Sequence, residues 1–162
     1  MSRFTPEQLA ERTLSHLNTY IGSADQKASI LLTAQFAFLG FSTTVIKDLL
    51  DTTSSEFQMA ALLGGVSGVV GALLAGSVVY PRTPKAEEGF IFWEHITEFE
   101  SREGFQEAFG ELSNEAALDE LTKQNYSLAK VADRKYRHLR WSLIATAGML
   151  GFAVIAASVY LR

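Results

Sequence analysis

Side chains able to do chemistry are few in this 162-residue chain, and their spacing argues against catalysis. His16, His95 and His138 stand far apart, and His95 has only Glu98, three residues on, as a companion. A metal site takes three or four ligands, so the pair is not a ligand set and no metal is expected. There is no Cys, no G-x-x-x-x-G-K-[ST] loop, no G-x-G-x-x-G turn and no nucleophile elbow, so neither an enzyme nor a cofactor is expected. What remains is binding chemistry. Asp25 and Lys27 stand just before one long apolar run, and Arg134, Lys135, Arg137 and Arg140 just before another. A carboxylate and cations at one depth can pair, with Asp25 meeting Arg140 or Arg134, while the other cations extend towards water at a span end.

The elements that position these groups follow from where charge is missing. Ala28 to Ile46 (19 residues), Phe57 to Tyr80 (24) and Trp141 to Leu161 (21) contain no charge, and all 32 Asp, Glu, Lys and Arg residues lie outside them. A helix rises about 1.5 Å per residue and a bilayer core is about 30 Å thick, so about 20 apolar residues make a span. A soluble bundle would need polar material on every side of three such helices, which a chain of this size lacks. The expected fold is an all-α membrane protein. It has transmembrane helices at about 28–46, 57–80 and 141–161, and a cytosolic helical bundle from about 1–27 and 82–140. The whole forms a single domain, and strand signals are absent.

Within the spans, Gly64, Gly68 and Gly71 form a small-residue face, and Ala145, Gly148, Gly151, Ala153, Ala156 and Ala157 form another. Either suits packing inside the chain or between copies. Gln35, near the middle of the first span, reads as an interhelix hydrogen-bonding group rather than a pore residue. The spans hold no charged residue to carry a coupling ion, which disfavours a transporter.

Thr5-Pro6 with Gln8 is a helix start with a capping box. From it Ala10, Leu14, Leu17, Ile21, Ala24, Ala28 and Leu31 form one seam running into the first span. Leu118, Leu121, Asn125, Leu128, Ala132, Lys135 and Leu139 form a second seam running into the third, and the two are expected to face each other. Asn125 and Lys135 interrupt the apolar pattern. Such residues either fix register or line a polar cavity for a small ligand. Between the spans, Tyr80-Pro81-Arg82 ends the second, and Phe90, Ile91, Phe92, Trp93, Ile96 and Phe99 suggest an aromatic helix. Ser101 reads as the cap of a short helix to Leu112, and Ser113 as the cap of the long last one.

Lys and Arg number three before the first span, one in the first loop, nine between Arg82 and Arg140 and one after the third span. This places the N-terminus inside and the C-terminus outside. Residues 1–27 do not read as a signal peptide. Segment 82–140 carries 12 acidic and 9 basic residues, so nucleic acid is not an expected partner.

Ala24-Asp25-Gln26-Lys27-Ala28, Tyr80-Pro81-Arg82, Phe90-Ile91-Phe92-Trp93 and Lys135-Tyr136-Arg137-His138-Leu139-Arg140, in this order, resemble the transmembrane effectors of bacterial Pycsar anti-phage systems. The resemblance implies an inner-membrane effector that senses cyclic UMP or cyclic CMP through its cytosolic helices. It would then impair the membrane as a homo-oligomer, ending infection together with the host cell. It further implies a ligand site with Lys27, Lys135 and Arg140 as candidates for the phosphate and Phe92, Trp93, Tyr136 and Asn125 for the pyrimidine. Asp25 belongs to the same set through its expected ion pair. The competing reading is a constitutive membrane adaptor whose cytosolic helices bind a protein partner.

Overall fold

The computed structural model describes residues 4–49, 54–80, 90–91 and 93–162, with the side chains of residues 93 and 94 outside that description. Helix α1 (Pro6–Leu49) starts at the expected capping box. The Gln8 N–H donates to the Thr5 hydroxyl, and the Thr5 N–H donates to the Gln8 side-chain carbonyl, both at 3.3 Å. A side-chain hydrogen bond from Thr5 also holds the Glu7 carboxyl below its usual range. Helix α2 (Ser55–Val79) is capped by Ser54, whose hydroxyl accepts from the Phe57 N–H. It ends where Tyr80, ahead of Pro81, takes an extended conformation, because a residue before proline is disfavoured in the helical region.

Two short helices follow, α3 (Trp93–Glu98) and α4 (Arg102–Gly110). Ser101 caps α4 by accepting from the Gly104 N–H, and Ser113 caps α5 (Asn114–Tyr160) by accepting from the Ala116 N–H. The aromatic helix expected from Phe90 to Phe99 is shorter than its sequence suggests: Phe90 and Ile91 lie in a bend ahead of α3, and Phe99 in one behind it. The reason is packing. Phe90, Phe99, Phe105 and Phe109 gather around one another with ring centroids 5.3–6.3 Å apart, a cluster that a continuous helix would pull apart. Among the described residues there is no strand.

At about 1.5 Å per residue, the 44 residues of α1 and the 47 of α5 each extend over about twice the thickness of a bilayer core. Each of the two helices contributes to both compact units of the chain. One unit combines Met1–Gly22 with Arg82–Asp133, and the other combines Ser23–Pro81 with Arg134–Arg162. In the first, Ala10, Leu128 and Ala132 are buried, all on the two seams. In the second, Ala24, Ala28, Val78 and Leu139 form one core cluster, and Phe57, Ala60 and Ala156 form another.

The outside of this second unit is apolar. Phe36, Phe41, Leu62, Leu73, Ile144 and Val154 are all exposed, far more apolar surface than a water-facing bundle carries. The hydroxyls of Thr33, Thr43, Thr44 and Ser158 each donate to a carbonyl of their own helix three or four residues back. Their hydrogen-bonding demand is therefore met locally, as hydrocarbon requires. The chain is a membrane protein with three helices long and apolar enough to span.

Candidate functional site

In the first unit the site is built on Asn125. Its amide Nδ2 donates to the Ala10 carbonyl at 2.9 Å, joining the two seams where Ala10 leaves room for a longer side chain. This is the register-fixing role that a polar seam residue can play. The Oδ1 atom of Asn125 is buried and accepts no hydrogen bond among the described residues. Of the two aromatic candidates in this unit, Phe92 lies outside the described residues, and so does the side chain of Trp93.

In the second unit the decisive contact is an ion pair between the Lys135 ammonium and the Asp25 carboxylate. This corrects the expectation that Asp25 meets Arg140 or Arg134. Lys135 lies on the α5 seam between Ala132 and Leu139, so it faces α1, whereas Arg134 and Arg140 project away and are exposed. Lys135 keeps only 11% of its side chain exposed and Asp25 keeps 36%, so the pair is shielded on the cation side and open on the carboxylate side. Tyr136 is half-buried and packs against the cluster of Ala24, Ala28, Val78 and Leu139. Lys27 is exposed. The structure therefore brings Asp25, Lys135 and Tyr136 to one level of this unit. Asn125 belongs to the other unit.

Two features escape a reading of the sequence alone. His138 Nδ1 lies 2.7 Å from the Ser77 hydroxyl, which itself donates to the Leu74 carbonyl at 2.7 Å. Farther into the apolar region, Gln35 is fully buried and donates through Nε2 to the Ser142 hydroxyl at 3.3 Å and the Thr146 hydroxyl at 2.6 Å. Both hydroxyls pass their own protons on, Ser142 to the Gly71 carbonyl and Thr146 to the Ser142 carbonyl. The interhelix role expected of Gln35 is thus observed, with its Oε1 buried and without a hydrogen-bond partner among the described residues.

Glycine makes this approach possible. A Cβ on Gly71 would lie 2.6 Å from Gln35 Nε2, and one on Gly64 would lie 3.3 Å from the Phe152 Cβ. The Gly64, Gly68 and Gly71 face therefore packs inside the chain, whereas Gly65, Gly76 and Gly151 have open space where a Cβ would go.

Comparison with known proteins places these features in a family. The signature described as Pycsar effector protein domain, PycTM, matches residues 9–162. Over 145 residues the chain is 32% identical to the Pycsar effector protein SaPycTM of Staphylococcus aureus, covering 89% of this chain and 88% of that protein. No solved structure matches the chain.

Proposed function

The chain belongs to the Pycsar effector protein family of anti-phage defence, and from that membership we propose that it is a sensor of a cyclic pyrimidine nucleotide that impairs the membrane holding it. In this reading the N-terminal part to about residue 27 and the segment from about 82 to 140 are cytosolic and sense cyclic UMP or cyclic CMP. The spans at about 28–46, 57–80 and 141–161 lie in the inner membrane, with the C-terminus on its outer side. The observation that carries the reading is the Asp25 and Lys135 pair on two helices that each run without a break from a charged segment into an apolar one. Lys135 is a mostly buried cation already holding an oxyanion. The phosphate of a cyclic nucleotide presents the same chemistry to it, so phosphate and Asp25 compete for one ammonium. Arg140 and Lys27 add positive charge near that level, and Tyr136 offers a ring. Phe92, Trp93 and Asn125 are separate candidates for a pyrimidine contact, on residue type alone. Release of Asp25 would loosen α1 from α5 where both enter the membrane, changing the packing of the spans. Three spans enclose no wide pore, so the impaired state is a homo-oligomer.

Dye-loaded liposomes carrying the full chain test this. Cyclic UMP or cyclic CMP should release dye while cyclic AMP and cyclic GMP do not, and binding to none of the four overturns the proposal. Lys135→Ala and Arg140→Ala should abolish the response with membrane insertion unchanged. Full response in both removes these residues from the site.

A further inference from the structure

The membrane unit contains a second site of a different kind. Leu39 of α1 packs against the Gly68 position of α2, but from Gly40 to Leu49 no residue of α1 is buried. Over the same stretch α2 and α5 remain close, as the Gly64 and Phe152 approach shows. Between Leu39 and Leu49, which packs against the cluster of Phe57, Ala60 and Ala156, α1 leaves a gap to the other two helices, and a cavity of about 410 Å³ opens there. Phe38, Val45 and Leu49 form one wall, and Gly64, Met149 and Ala157 the other. Phe57 and Tyr160, with ring centroids 6.2 Å apart, lie at the end nearer the membrane surface. Its lining is almost wholly apolar, and the Thr43 hydroxyl, which also faces it, is committed to the Leu39 carbonyl. Water gains too few hydrogen bonds to stay in such a space.

We propose that this cavity binds one acyl chain of a membrane lipid, drawn from the leaflet next to the end of α1. Dimensions exclude the other plausible occupant. The cavity follows α1 from Phe38 to Leu49, about 17 Å of helix, and α1 touches the bundle at both ends of it, through Leu39 and through Leu49. A whole helix, about 10 Å across with its side chains, has no way in beneath a helix held at both ends. A hydrocarbon chain is about 4 Å across at carbon contact distance and fits. Left empty, the lining side chains would lack contact partners on one side. The small residues Ala61 and Gly65 create the space. Between the Leu39 and Leu49 contacts α1 is then seated on the bundle through lipid, so its position there depends on the bilayer.

The test uses the full chain in vesicles of phosphatidylethanolamine and phosphatidylglycerol, doped with a phosphatidylethanolamine carrying a diazirine near the end of one acyl chain. After illumination, the labels are mapped by mass spectrometry. Labels should concentrate on Phe38, Val45, Met149 and Ala157 rather than on the equally apolar exposed Leu73 and Ile144. Ala61→Leu and Ala157→Phe, which fill the cavity, should lose this labelling, while Leu150→Phe on the open surface should keep it. If a filled variant misfolds, the pattern on the unaltered protein still decides. Even labelling of all exposed positions overturns the proposal, as do crosslinks joining two copies through the cavity walls. The outcome requires only that the helices lie in a bilayer, so it stands or falls independently of any nucleotide response.

Discussion

Lys135 is where structure and proposed function press hardest on one side chain, and its energetics are open to measurement. A buried cation that loses its carboxylate partner must be desolvated without that compensation, a larger loss than the net worth of the pair. Asp25 is over a third exposed and can recover water, so the two single variants should differ. Asp25→Asn strands the mostly buried ammonium and should cost about 1–3 kcal/mol, whereas Lys135→Met leaves a carboxylate that reaches solvent and should cost less. The double variant, which buries no unpaired charge, should be more stable than the sum of the singles predicts. Denaturation in detergent micelles across the four proteins measures this, and strict additivity would show that the two residues do not sense each other. The partner of Asp25 could have been read from the sequence, since Lys135 lies on the α5 seam and Arg134 and Arg140 do not. Counting charges near a span end hides that distinction. The roles of Ser142, Thr146 and Ser77 were not legible, because a hydroxyl in a helix usually bonds back to its own backbone, and only the positions of neighbouring helices reveal a second partner.

Helix lengths, caps and seams were legible, because each depends on local spacing: charge-free runs long enough to span, Ser and Thr ahead of each helix, and apolar residues three and four apart. The rotation of α2 about its axis was not. Glycines occur on several of its faces, so composition cannot say which face meets the neighbouring helices, and long-range packing makes the choice. That choice yields a test at the level of the element. Gly71 faces Gln35, whose amide is held by two hydroxyls and cannot step aside without breaking those bonds, whereas a Cβ on Gly76 meets nothing. Gly71→Ala should therefore destabilise the membrane unit by the loss of one or two interhelix hydrogen bonds, about 1–2 kcal/mol in a bilayer setting. Gly76→Ala should be neutral or slightly favourable, since alanine is the better helix former. In a Gln35→Ala background Gly71→Ala should add little further loss, because the bonds it would break are already absent. The readout is denaturation in micelles, and equal effects at positions 71 and 76 would contradict the assignment of the packed face.

For the whole molecule, the question is how a chain of three spans would impair a bilayer in the proposed mechanism. The centre of its membrane unit is occupied by Gln35, Ser142 and the Gly71 backbone, all in mutual contact, so one copy has no room along its axis for water. Its outer surface is apolar and sits comfortably in lipid. A single copy is thus a poor disruptor whichever way its helices tilt, and damage requires that several copies place their faces around a shared defect. The faces available include those where glycine meets open space outside the cavity, at Gly76 and Gly151, since the other small face is used inside the chain. Leakage should then rise more steeply than linearly with protein per vesicle at saturating nucleotide, while nucleotide binding per protomer stays constant. Initial dye-release rates measured over a series of protein-to-lipid ratios give the order directly. An order of one would mean that a lone protomer suffices and would remove the oligomer from the proposed mechanism. Gly76→Leu and Gly151→Leu, which project into open space and leave the fold of one copy intact, should lower leakage without changing nucleotide binding. A fall in binding instead would show that these positions act inside the chain.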